Sequence, residues 1–219
     1  MTSRVHFQEE IGSLRADVDW LGSLAEDATR AAAVAMLDAD HAKAELVVSG
    51  DDDLDHLFLR LEERAHSLIA QQAPVAIDLR FLVSALRVMA DFERVGDLAV
   101  AVAKPGLIDW DREAISVGLL HRMADIAVQL LGDARRAWRD ADLPLATQLE
   151  RRDDALDLSY RSLTAHLLAQ HGPTASGLVF HALLAGRHLE RIADHAVAVG
   201  DRVAYMVTGD PQSLAAEIG

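Results

Sequence analysis

Apolar residues recur along this chain every three to four positions, and the stretches that keep this spacing are separated by short clusters of Pro, Gly and Asp. The first stretch runs from about Val5 to Leu37, with Leu14, Val18, Leu21, Leu24, Ala25 and Ala28 at helical spacing. Asp40 suits the N-cap of a second stretch that continues to Gln72; Gly50 in its middle costs about 1 kcal/mol relative to alanine and marks a possible bend. Pro74 opens a third, from Val75 to Lys104, with Leu79, Leu82, Leu86 and Met89 on one stripe. Lys104-Pro105-Gly106 breaks it, and Lys104 to Arg112 reads as an interdomain linker. A fourth helix is predicted from Glu113 to Arg139, a break at Asp142 to Pro144, a fifth helix to about Gln170, a turn at His171-Gly172-Pro173 and a sixth helix to about Val207. The tail from Thr208 to Gly219 is expected to fray.

The second half repeats the plan of the first. Glu93-Arg94-Val95-Gly96-Asp97 returns as Glu190-Arg191-Ile192-Ala193-Asp194, Ala85-Leu86 before the first motif matches Ala182-Leu183 before the second, and a proline turn precedes both helices. The acidic starts Asp51-Asp52-Asp53-Leu54-Asp55 and Asp153-Asp154-Ala155-Leu156-Asp157 also correspond. The economical reading is an internally duplicated three-helix unit: an all-α chain of two tandem three-helix bundles, at 1–104 and 113–207, with a linker at 105–112 and a tail at 208–219.

Composition narrows the function. With 219 residues, 5% aromatic and an abundance of Ala and Leu, the chain favours helix bundles over β sandwiches. A formal charge of −14 argues against nucleic-acid binding and against docking on anionic lipid. There is no cysteine for disulfides or thiolate metal sites, no signal-peptide core between Met1 and Gly12, and no run of about 18 apolar residues for a membrane span. These features point to a soluble intracellular protein that reaches any membrane system through another protein.

The candidate chemistry lies in the acids. Glu93 and Asp97, Glu190 and Asp194, Asp51 and Asp55, and Asp153 and Asp157 each stand four residues apart, so each pair shares a helix face. Like charges there repel by roughly 0.2–0.5 kcal/mol. Counted from the turn near Gln72–Pro74, Asp55 lies about 17 residues back and Glu93 about 19 forward, which at about 1.5 Å per residue makes them level to roughly 3 Å. In the second half Asp157 lies about 14 residues before the turn and Glu190 about 17 after it, an offset of roughly 4–5 Å. Four carboxylates per half therefore converge, a donor set that suits hard cations such as Mg²⁺, Mn²⁺, Ca²⁺ or ferric iron. The competing reading is a solvated acidic face, with Arg94 and Arg191 three residues from Asp97 and Asp194 for weak ion pairs.

Weaker candidates complete the survey. Glu26, Asp27 and Asp125 fall at the right level to act as outer ligands. His195 is turned about 100° from Asp194 and reads as exposed or satisfied, and His121, His166 and His188 have no partner at metal-binding spacing. Gly-rich phosphate loops, nucleophile elbows, His-Glu-x-x-His, Cys-x-x-Cys and the Glu-x-x-His of di-iron bundles are all missing. An oxidase reading loses its support, and no catalytic constellation remains.

The run Gln71-Gln72-Ala73-Pro74-Val75-Ala76-Ile77-Asp78-Leu79-Arg80, then Asp91-Phe92-Glu93-Arg94-Val95-Gly96-Asp97, and in the second half Leu189-Glu190-Arg191-Ile192-Ala193-Asp194-His195, resemble the PhoU family across essentially the whole chain. The resemblance implies a cytoplasmic, non-enzymatic regulator of phosphate homeostasis, dimeric in many relatives. Such a protein contacts the ATPase subunit of a phosphate ABC transporter and a sensor histidine kinase, and restrains both when phosphate is plentiful. It also implies metal ions (Mg, Mn, Zn or Fe) on E(D)xxxD motifs. Carried over by position, the ligands are Glu93, Asp97, Glu190 and Asp194, with Asp51, Asp55, Asp153 and Asp157 opposite. Three departures stand out: Ala193 in place of the usual glycine, Gly177 near the counterpart of Asp78, and Arg187-His188 where the first half has Ala90-Asp91. Two other functions remain open, a metal-dependent phosphate-ester hydrolase and a metal-free helical interaction module.

Overall fold

Six long helices form where the apolar spacing predicts them. In this computed structural model they are α1 (Thr2–Asp38), α2 (His41–Gln72), α3 (Ala76–Ala103), α4 (Ala114–Asp140), α6 (Leu149–Leu168) and α7 (Ala175–Thr208), with a single extra turn, α5 (Leu143–Ala146). The structure describes residues 2–107, 112–170 and 175–218, and among these there is no strand. The predicted turn His171-Gly172-Pro173 lies outside the described residues, as do positions 108–111 of the predicted linker.

Caps explain most of the boundaries. Asp40 accepts from the Lys43 N–H at 3.0 Å and starts α2, which runs unbroken through Gly50. Glu113 starts α4 by accepting from the N–H groups of Ile115 at 2.8 Å and Ser116 at 2.9 Å. Those bonds, the one from Ile115 foremost, bring its carboxyl down to about 2, and the His166 imidazole lies 2.9 Å from it. The expected break at Asp142 to Pro144 is instead the one-turn α5, because Asp142 accepts from the Leu145 N–H at 3.0 Å and Pro144 suits a first turn.

The expected linker and tail also differ from the sequence reading. Lys104–Leu107 is a 3-10 turn whose Pro105 and Gly106 are buried, so the chain leaves α3 against the core. A Cβ on Gly106 would lie 2.7 Å from the Ala35 carbonyl oxygen, which only glycine avoids. Beyond α7, Gly209 turns with φ of 74° and Pro211–Ile218 forms a 3-10 helix lying on α7.

The two halves share one core. α1 lies on α3, α3 on α7, α7 on α4 and α4 on α1, closing a four-helix ring, while α2 covers α1 and α3 and α6 covers α4 and α7. One contiguous apolar cluster runs through both halves. At the seam Phe81 of α3 stacks on Trp138 of α4 with ring centroids 5.5 Å apart, and the Arg15 guanidinium of α1 sits over both rings at 4.8 and 5.5 Å. Arg15 Nη1 also donates to the Trp138 carbonyl at 3.0 Å, and Trp138 Nε1 donates to the Arg15 carbonyl at 3.2 Å. By length and hydropathy α4 is apolar enough to cross a membrane, but Leu120, Met123, Leu130, Leu131 and Trp138 are buried in this core.

Three helix ends close on alanine in the left-handed region, Ala39 (φ 56°), Ala73 (φ 44°) and Ala141 (φ 52°), where glycine would be unstrained. Ala141→Gly is expected to raise stability by about 0.5–1 kcal/mol, or roughly 1–4 °C in Tm. Ala134→Gly in the middle of α4 should lower it, and equal thermal melts of the two variants would contradict the strain.

Candidate functional site

In each half the outer helix runs beside the last helix of its repeat, α2 against α3 and α6 against α7. The core side of α3 holds Phe92, Val95 and Ala99, and that of α7 holds Leu189, Ile192 and Ala196, all fully buried. This rotation turns Glu93 and Asp97 toward Asp51 and Asp55, and Glu190 and Asp194 toward Asp153 and Asp157. The eight acids singled out in the sequence thus fall into two facing sets of four, one per half.

The electrostatics record that proximity. Asp51 is held above the ordinary carboxylate range, first by burial and then by the charges of Asp55 and Asp97. Glu93 is raised as well, chiefly by burial, with Arg94 opposing and Asp97, Asp55 and Asp51 adding to the shift. A Cβ on Gly96 would sit 3.3 Å from Asp51 Oδ1 and 3.0 Å from Leu54 Cδ1. The glycine therefore gives the Asp51 carboxylate room over the α3 backbone.

The second set is more strained. Asp153 is pushed up to about 7, chiefly by burial and then by Asp194, Asp157 and Glu190. Its Oδ1 is buried with no hydrogen-bond partner among the described residues, a costly state for a carboxylate oxygen. Glu190 and Asp194 are also raised, burial leading in both and Arg187 opposing. Ala193, fully buried, takes the place that Gly96 has in the first half.

Arginines draw several of these acids aside. Arg94 lies 3.0 Å from Asp97 and 3.6 Å from Glu93, Arg161 lies 3.7 Å from Asp157, and Arg187 pairs with Glu190. Among the described residues no three Asp, Glu or His side chains already surround one cation position. The donors nevertheless fit a hard cation in kind: they are carboxylate oxygens only, crowded enough to hold protons, with one buried oxygen unsatisfied and one lying over a glycine.

The weaker candidates separate. His195 is satisfied across the seam, with Nδ1 3.0 Å from Asp91 Oδ1, and so ties α7 to α3. Glu26 and Asp125 line the cleft between α1 and α4, where Glu26 meets Arg30 at 2.9 Å and Arg135 at 3.4 Å and Asp125 meets His121 at 3.2 Å. Neither joins an acidic set. Asp27 lines a groove beside Asp51. His166 is taken by Glu113, and the half-buried His188 is pushed below its ordinary value by burial first and then by Arg191 and Arg187, with its Nδ1 unpartnered among the described residues.

Ion pairs at two buried or half-buried acids, Asp133 and Asp91, escaped the sequence reading. Asp133, 2% exposed, pairs with both Arg136 and Arg152. A lone acid inside the apolar run from Leu130 to Ala134 was the available signal. The Asp91–His195 pair had none, because it depends on α3 and α7 being neighbours.

The PhoU domain family matches residues 18–105 and again 120–203, one match over each acidic set. The chain belongs to the PhoU family. It is 34% identical over 209 residues to the phosphate-specific transport system accessory protein PhoU homolog 1 of Mycobacterium tuberculosis, covering 94% of this chain and 95% of that one. It is 32% identical over 208 residues to the corresponding PhoU homolog of Caulobacter vibrioides, covering 93% and 90%. The crystal structure of PhoU from Pseudomonas aeruginosa superposes with a TM-score of 0.87 at 27% identity, over 93% of this chain and 100% of that one. The all-α PhoU bundle is therefore the frame that brings the carboxylates together.

Asp153 gives a pH signature. Its carboxyl, at about 7, binds a proton more tightly folded than in the unfolded chain, where an aspartate titrates near about 4. The folded state therefore holds the extra proton between those values, and stability falls as pH rises through that window. In chelator-treated protein the melting temperature should drop from pH 5 to pH 7, and Asp153→Asn should flatten the drop. Parallel slopes for the two proteins would refute the assignment.

Proposed function

We propose that this PhoU-family chain is an accessory regulator of phosphate transport that holds hard cations on its two carboxylate sets. It restrains a phosphate-specific ABC transporter, through its ATPase subunit, and a phosphate-responsive sensor histidine kinase by direct contact. It acts in the cytoplasm, as a homodimer and without catalysis. The observation that carries this reading is similarity along nearly the full length to proteins named as phosphate-specific transport system accessory proteins, with one acidic set inside each matched segment.

Asp51, Asp55, Glu93 and Asp97 would hold a cation in the first half, and Asp153, Asp157, Glu190 and Asp194 in the second. Mg, Mn, Zn and Fe are the candidate ions; carboxylate oxygens without thiolates favour the harder of them. A bound cation supplies positive charge between like carboxylates and ties the outer helix of each half to its neighbour. The buried Asp153 Oδ1 supports this, since a cation gives that oxygen the partner it lacks among the described residues.

Deleting the gene should raise phosphate uptake and phosphate-starvation expression in phosphate-rich medium. Complementation with the Glu93→Ala, Asp97→Ala double variant should fail to restore control while its melting curve stays cooperative. Regulation unchanged by the deletion would sink the regulatory reading. Turnover of phosphate esters by metal-loaded protein would favour the hydrolase instead.

A further inference from the structure

In a chain with a formal charge of −14, the cleft between α1 and α4 gathers arginines: Arg30 of α1, Arg136 of α4 and Arg152 of α6 line it. Their carboxylate partners sit beneath them. Arg30 Nη2 meets Glu26 at 2.9 Å, and Arg136 Nη2 and Arg152 Nη1 both meet Asp133. The two acid side chains are 15% and 3% exposed, the three arginines 42% to 58%. The acids therefore orient the guanidiniums, and the outward N–H groups face the cleft. Glu26 also holds Arg135 at 3.4 Å, which leans on Asp19 at 3.8 Å. One carboxylate cannot balance the two guanidiniums at Asp133, so that trio keeps an unmet positive charge.

The two helices run antiparallel here: Arg15 meets Trp138, Glu26 lies over Gly132, and Leu37 shares the far end of the cleft with His121. A Cβ on Gly132 would lie 3.5 Å from both Glu26 carboxylate oxygens and 3.6 Å from Arg136 Nη1, so the α1 and α4 charges meet over one stretch of backbone. Toward the other end the walls turn apolar, with Val34, Leu37, Ala124 and Val128. Asp125, the acid at that end, is already paired with His121 at 3.2 Å. The span from Glu26 to Leu37 is about 16 Å of helix. At about 370 Å³ the cleft is roomier than a lone oxyanion needs and falls within the range of small-molecule sites.

We infer that this cleft binds a small organic phosphate, with the phosphoryl oxygens on Arg30, Arg136 and Arg152 and the apolar body along Val34, Leu37 and Val128. Arginine's planar fork suits phosphate oxygens, and charge-assisted bonds of this kind are the strong ones. Arginines already held by buried acids lose little freedom when a ligand arrives. The two carboxylate sets, whose donors suit cations, take no part, and the site stands apart from the regulatory contact proposed above. Free phosphate shares the headgroup chemistry and lacks the body, so affinity separates the two sources.

The probe is phenyl phosphate, titrated into the isotope-labelled full chain and followed by amide chemical shifts. Chelator treatment beforehand removes cations that would bridge phosphate to the carboxylate sets. Shift changes are expected at Gly132 and Asp133 at the arginine end and at Val34 and Ala124 at the apolar end. Phenol, the same body without the charge, should bind at least about tenfold more weakly. Arg30→Gln should stay folded, since Glu26 keeps Arg135, and should weaken phenyl phosphate by about tenfold or more. Inorganic phosphate should shift Gly132, leave Ala124 unmoved and bind more weakly. Affinity equal to that of phenyl phosphate would overturn the organic body and assign the arginines to free phosphate. Absent binding of both phosphates, phenol binding as tightly as phenyl phosphate, or binding that Arg30→Gln does not weaken overturns the site.

Discussion

Apolar burial forces like charges together in this fold, and the candidate chemistry depends on that constraint. The residues Phe92, Val95 and Ala99 of α3, and Leu189, Ile192 and Ala196 of α7, fix the rotation of those helices in the shared core. Burying a large side chain of this kind is worth about 1.5–3 kcal/mol, against roughly 0.2–0.5 kcal/mol for one exposed like-charge pair. Burial wins, and the opposite faces must carry carboxylates toward α2 and α6. The unmet cost shows as raised proton affinity at Asp51, Glu93, Glu190 and Asp194, and most strongly at Asp153.

Duplication sets the architecture and divergence sets the asymmetry. The inner helices of the two repeats close one ring, so neither half has a core of its own. Gly96 opens space over α3 where Ala193 closes it over α7, and Gly50 leaves open space at the position where the second half has Arg152, the partner of Asp133. The first half is the more open to solvent at its acids, and the second holds the buried oxygen that most needs a positive partner. One fold therefore presents two related sites with different access.

Much of this was legible in the sequence because it depends on period and distance along helices. The apolar stripes gave the long helices, and counting residues from the proline turns made the acid pairs level, which is how the structure pairs them. Features that depend on packing between distant segments were not legible. Pro105 and Gly106 read as a linker because their composition is that of a loop, yet the Ala35 backbone comes close enough to bury them. Ala39, Ala73 and Ala141 gave no stop signal, since alanine favours helix interiors, yet all three are left-handed, and after Ala39 and Ala141 the next N–H returns to the helix, Asp40 to the Ala35 carbonyl and Asp142 to that of Ala137. The Asp91–His195 tie crosses the seam between repeats, and no one-dimensional pattern records which helices meet there.

The central claim is that each carboxylate set binds its own cation. Manganese binding to chelator-treated protein, counted by the loss of the free-ion electron paramagnetic resonance signal, tests it most directly. The account predicts binding in both halves, with Asp51→Asn removing only the first component and Asp153→Asn only the second. Binding that neither substitution weakens, or no binding by the folded wild-type chain, would contradict it.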